Sequence, residues 1–181
     1  AVEQRDAHRD GADVEVLLVD HGDRLQNFTA VDHGCAPSDA VHGIEDVLPL
    51  GADLQIALRA RAIAELTGIE VIMTRDSPDI AYPDDATTIA ERKKADQHQR
   101  AELIRRTDNA VLISIHQNCY PDRKPSGAQV LYAASPGSDT LGALMHDNLV
   151  AYLDPQNRRV AVPISEKIYL MREVNCPAVL V

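Results

Sequence analysis

The chain has 181 residues, 45% of them apolar and 25% charged, an ordinary composition for one globular domain with a sizeable core. Its formal net charge of −10 argues against a nucleic-acid partner, which calls for a basic footprint. No apolar run approaches the roughly 18–20 residues of a membrane-spanning helix, so no stable membrane insertion is expected.

Aromatic residues make up only 3%, so the core must be built from Leu, Ile, Val and Ala. The three cysteines, Cys35, Cys119 and Cys176, lie far apart, and their odd number argues against a complete disulfide framework. They read as small buried thiols. Residues 1–13 form a polar N-terminal tail without the apolar stretch of a signal peptide. Either the protein is cytosolic or its targeting segment is absent from this chain.

Val14 to Asp20 reads as a strand that stops at His21-Gly22. Asp53 to Leu66 reads as a helix, because Leu54, Leu58, Ala62 and Leu66 recur every four residues and Gly68 follows as a stop. Ile69 to Thr74 is rich in β-branched residues and reads as a strand. After a loop over Asp76 to Asp85, Thr88 and Glu91 have capping-box spacing, and a helix runs from there to Arg106. Its polar stretch, Glu91 to His98, reads as a solvated face.

Ala110 to Ile115 is short and continuously apolar, as a strand buried on both faces should be. Gly127 to Ala133 reads as a strand, and Ser138 to Leu153 as a helix with Leu141, Leu144, Met145 and Leu149 on one stripe. Ile168 to Met171 and Pro177 to Val181 read as two final strands. The alternation predicts a single α/β domain over residues 14–181, with a mostly parallel sheet covered by helices on both faces. Ligands of such sheets sit beyond the carboxyl ends of strands, so the residues that follow each strand carry the functional argument.

His116-Gln117-Asn118 follows the buried strand. A histidine there can serve as a metal ligand or general base, or simply be a satisfied structural residue. Asp20-His21-Gly22 follows the first strand, and Val31-Asp32-His33-Gly34 lies a short way on. A catalytic zinc takes three protein ligands and keeps a fourth position open. Two histidines from separate strand ends and one carboxylate, with Glu45 and Asp46 the nearest choices, would meet that need. No HExxH motif supports this, so spacing alone makes it a weak signal. His42 is a reserve ligand; His8, His98 and His146 read as solvated or structural. There is no GxSxG elbow or phosphate-binding loop. Ser114 and His116 share a pleat face by period two, but residues so placed rarely direct the hydroxyl proton onto the imidazole.

Taken together, Leu54-Gln55-Ile56-Ala57-Leu58-Arg59, Gly68 to Asp76, and Ser114-Ile115-His116-Gln117-Asn118 resemble the zinc-dependent N-acetylmuramoyl-L-alanine amidases of type 3 in order and spacing. The likeness is greatest to the spore germination-type amidases. These share an insert similar to Ile80 through Asp96, the run Gly127-Ala128-Gln129-Val130, and Ile168-Tyr169-Leu170-Met171.

The resemblance, which covers residues 53 to 181, implies a twisted sheet of about six strands between helices. It also implies a zinc held by a histidine of a Gly-rich loop, a glutamate before the first helix and the histidine of SIHxN. The last maps onto His116. Counting back from Ile56-Ala57 favours His33 for the first; counting forward from the first strand favours His21. The glutamate position falls on Pro49, which offers no ligand, leaving Glu45 as the substitute. The family's catalytic Glu would follow Val181, so the domain is expected to stop short of it.

The activity implied is hydrolysis of the amide between N-acetylmuramic acid and L-alanine in peptidoglycan, by water whose pKa zinc lowers from 15.7 to about 7. Asn118 is expected to orient substrate. Such an activity belongs outside the cytoplasm, in the cell wall, a periplasm-like space or the forespore intermembrane space. Two rival readings remain open. One is a non-catalytic module of the same fold that binds peptidoglycan or a partner protein; the other is a zinc hydrolase of a different amide.

Overall fold

The computed structural model describes residues 14–19, 52–77, 82–116 and 127–181. Its first strand, β1 (Val14–Val19), is the apolar run expected there. The first helix, α1 (Ala52–Leu66), is closed by a Schellman turn. The N–H of Ile69 donates to the Ala64 carbonyl at 3.1 Å and that of Gly68 to Glu65 at 3.0 Å, while Gly68 takes φ +82°. That turn leads directly into β2 (Glu70–Met73).

The second helix, α2 (Ile89–Arg106), starts on the expected capping box. The Thr88 hydroxyl accepts from the Glu91 N–H at 3.2 Å, and the Glu91 carboxylate accepts from the Thr88 N–H at 2.8 Å. Next comes β3 (Ala110–Ile115), with the bounds read from its apolar run. It is followed by β4 (Leu131–Tyr132), α3 (Ser138–Tyr152), β5 (Val162–Pro163), α4 (Tyr169–Glu173) and β6 (Ala178–Leu180).

Six strands form one sheet in the order β2-β1-β3-β6-β4-β5, so the α/β architecture is the one expected. Strand direction departs from the mostly parallel expectation. β3 and β6 are parallel, as are β4 and β5, but β1 runs antiparallel to both β2 and β3, and β4 antiparallel to β6. The physical reason lies in the connection. A short strand–helix crossover forces a parallel return, whereas residues 20–51 separate β1 from α1 and leave its direction to pairing and burial.

Two further expectations are corrected. Ile168–Met171 is not a strand. Tyr169–Glu173 is helical and buries the adjacent residues Leu170 and Met171, which a strand would turn to opposite faces. A short apolar run does not distinguish the two by period. The strand read over Gly127–Ala133 shrinks to Leu131–Tyr132, while β5, which was not expected, forms the sheet edge, where Pro163 is tolerated.

Pleat alternation divides the core between the two faces. Leu17, Ala110, Leu112 and Ala178 face Ala101 and Ile104 of α2 and Leu170 and Met171 of α4. Val16, Leu18 and Ile115 face Leu54, Ala57 and Ala64 of α1. On α3, Gly142 packs against β4: a Cβ there would lie 3.0 Å from the Cβ of Tyr132. No described helix is long and apolar enough to cross a membrane.

Directions also establish where a site can form. β2, β3 and β6 end at one edge of the sheet, where β1 and β4 begin. α1 ends at the start of β2 and α2 at the start of β3, so both helices begin at that same edge.

Candidate functional site

His116 stands at that edge, one residue past β3. Its N–H donates to the Val181 carbonyl at 2.9 Å, and the Val181 N–H donates to the Ser114 carbonyl at 2.9 Å. The ends of β3 and β6 are thereby zipped together around a partly buried imidazole. A strand buried in mid-sheet gives this residue a rigid mount, which a metal ligand or a general base requires.

Directly behind it lies a buried polar cluster that the sequence reading did not single out. Glu15, only 1% exposed, stands opposite Ser114 in the β1–β3 register. Its carboxylate accepts from Arg100 Nη1 at 2.7 Å, from the Thr74 hydroxyl at 2.7 Å and, in a longer contact, from the Ser114 hydroxyl at 3.4 Å. Arg100, 5% exposed, also donates Nε to Asp96 at 2.9 Å. The available signal was a lone acidic residue within the apolar run VEVLLV. With these partners the Glu15 carboxylate is committed to the core and is a poor metal donor. Ser114, which shares a face with His116, bonds to Glu15, so its hydroxyl belongs to this cluster.

Other elements reach the same edge. Arg92 holds the loop ahead of α2: its Nε donates to the Ala86 carbonyl at 3.1 Å, and its guanidinium lies 5.6 Å from the Tyr82 ring centre. At the approach to β4, Asn157 donates Nδ2 to the Ala128 carbonyl at 2.8 Å, and Arg159 bonds Gln129. Gly127 has φ +83°, and a Cβ there would come within 2.8 Å of Asn157 Cγ. These contacts give the run Gly127-Ala128-Gln129 a structural reason.

Of the candidate site residues, His116 is described; His21, His33, Glu45 and Asn118 lie outside the described residues, as do His8, His42, Asp46 and Pro49. Among the described residues, no group of three or more His, Cys, Asp or Glu side chains could hold a metal ion. His116 therefore supplies one donor of the right chemistry, and a complete zinc site would draw its other ligands from the undescribed segments. Two other histidines fit their reading as solvated or structural, with His98 exposed and His146 buried. His98 Nδ1 lies 3.1 Å from the Tyr169 hydroxyl, and His146 is buried in α3. Cys176 is a buried free thiol whose pKa desolvation pushes up, away from reactivity.

The chain is 32% identical over 150 residues to the germination-specific N-acetylmuramoyl-L-alanine amidase of Bacillus subtilis (strain 168), a match spanning 82% of this chain and 62% of that protein's length. Its fold is similar to that of the CwlD amidase from Clostridioides difficile, solved in complex with the GerS lipoprotein. The TM-score is 0.68 at 27% identity, over 85% of this chain and 76% of that one. Residues 50–181, which include β2, β3, His116 and β6, match the family profile described as N-acetylmuramoyl-L-alanine amidase, and the chain belongs to that family.

Proposed function

We propose that this chain is the catalytic part of a zinc-dependent hydrolase that cleaves the amide between N-acetylmuramic acid and L-alanine in peptidoglycan. The carrying observation is His116, held at the shared carboxyl edge of β3 and β6 by main-chain bonds to Val181. His116, His33 and Glu45 are the ligand set. When bound, zinc would polarise the scissile carbonyl and supply an acidified water.

Chain geometry favours His33 over His21. Val19 pairs with Ala110, at the opposite end of β3 from His116 and roughly 20 Å away at about 3.3 Å per residue. His21 is two residues beyond Val19, a reach of at most about 7 Å. His33 has twelve residues more with which to return. Glu45 precedes α1, whose N-terminus begins at the His116 edge.

The protein's own groups do the remaining work. Asn118, two residues past His116, orients the glycan-linked peptide. The proton of the attacking water needs a carboxylate base, and a glutamate following Val181 would continue β6 alongside His116. Substrate of this kind places the protein outside the cytoplasm, in the cell wall, a periplasm-like space or the forespore intermembrane space. The complex formed by the Clostridioides difficile relative supports a protein partner as well.

The test is hydrolysis of purified peptidoglycan by the full-length protein, read as new L-alanine amino termini. Zinc-dependent release that His116→Ala abolishes is the expected result. Tight zinc binding without release would instead indicate a binding module of the same fold.

A further inference from the structure

We infer that the buried cluster Glu15–Arg100–Asp96, acting through Ser114, is a positioning device for His116. This rests on the zinc reading above, and one of its two readouts is independent of zinc.

The cluster joins four elements at one edge. Glu15 lies in β1, Thr74 follows β2, Asp96 and Arg100 lie in α2, and Ser114 lies in β3 two residues before His116. Arg100 forks between Asp96 Oδ2 at 2.9 Å and Glu15 Oε2 at 2.7 Å. Backbone bonds reinforce the junction, with the Thr74 N–H donating to the Glu15 carbonyl at 3.1 Å and the Glu15 N–H to the Thr74 hydroxyl at 3.1 Å.

Stability alone gives little reason to place two carboxylates and a guanidinium here. A buried ion pair often contributes no more than the apolar side chains that could replace it. Such a cluster does supply direction. Each bond demands a particular distance and angle, so the β3 end and the α2 face cannot slide or rotate against one another as apolar surfaces can. The residue that gains from a fixed β3 end is His116, whose ring must meet a metal in one orientation.

The test uses the full chain and three proteins: wild type, Ser114→Ala, and the paired replacement Glu15→Gln/Arg100→Met, which removes the two most buried charges of the cluster together and leaves the more exposed Asp96. Two properties are read on samples confirmed as folded by circular dichroism. One is zinc affinity by competition with a chelating indicator; the other is the His116 Cε1–H resonance of the metal-free protein. Loss of groups that orient a ligand typically weakens metal binding by about 10–100-fold. A positioning role predicts zinc affinity in that range below wild type for the paired variant, a smaller loss for Ser114→Ala, and a shifted or broadened His116 resonance in both. A purely structural role would lower the unfolding midpoint while leaving affinity and resonance as in wild type, and that result overturns the inference. If wild type takes up no zinc, the proposed function fails. The His116 resonance then decides the positioning role alone: an unchanged line in both variants rejects it, and a changed one sustains it.

Discussion

The N–H of His116 donates to the carbonyl of Val181, so the residue that follows β6 and the foremost candidate ligand share one hydrogen-bonded junction. That junction brings the carboxyl ends of two parallel strands to a single point at the sheet edge. Removing the imidazole alone leaves this main-chain bond in place. His116→Ala should therefore abolish zinc uptake and hydrolysis while the protein stays folded, as checked by elemental analysis beside circular dichroism.

Arg100 bonds both carboxylates of its cluster, and Glu15 is almost wholly buried. Arg100→Met should cost about 3–5 kcal/mol, because it leaves a buried carboxylate without its guanidinium. The paired variant Glu15→Gln/Arg100→Met should recover most of that loss. Urea unfolding of the two variants measures both values, and equal losses would contradict the argument.

Gly127 meets two obstacles to a side chain, its φ of +83° and the Asn157 side chain 2.8 Å from an added Cβ. The left-handed conformation alone costs a non-glycine residue roughly 1–2 kcal/mol. Gly127→Ala should be destabilised by at least that much. Adding Asn157→Ala relieves the clash but not the backbone strain, so thermal unfolding should show only partial recovery.

Gly142 sets two effects against each other. Alanine in a helix interior is favoured over glycine by roughly 1 kcal/mol. Here an added Cβ would lie 3.0 Å from Tyr132 Cβ and 3.1 Å from Cδ1, and the first of these cannot move without shifting β4. Overpacking of this kind costs about 1–3 kcal/mol. Gly142→Ala should be net destabilising by chemical denaturation.

The Glu91 carboxyl is held below its ordinary value, chiefly by the Thr88 N–H and then by the Thr88 and Thr87 hydroxyls. A depressed folded-state pKa means stability that is present above the unfolded value of about 4.3 and is lost as pH falls through the lower folded value. The stability difference between wild type and Glu91→Gln should therefore be constant at neutral pH and vanish in acid. Thr88→Ala, which removes the other half of the box, should cost about 1 kcal/mol.

Local features were legible in the sequence because their causes are local. The Thr88–Glu91 box, the Gly68 stop and the apolar run Ala110–Ile115 each depend on residues a few positions apart, and each took the expected form. The runs Leu54 to Arg59, Gly68 to Asp76 and Ser114 to Asn118, taken together, likewise pointed to the family. Three features were decided only by the tertiary structure. The direction of β1 depends on pairing across a long connection, which no period encodes. The helix at Tyr169–Glu173 follows from burial of Leu170 and Met171 against the sheet, since five residues are too few to announce a period. Glu15 looks like an exception within an apolar strand until folding brings Arg100, from eighty-five positions away, to meet it. A buried charge needs a partner, and only the fold says which one arrives.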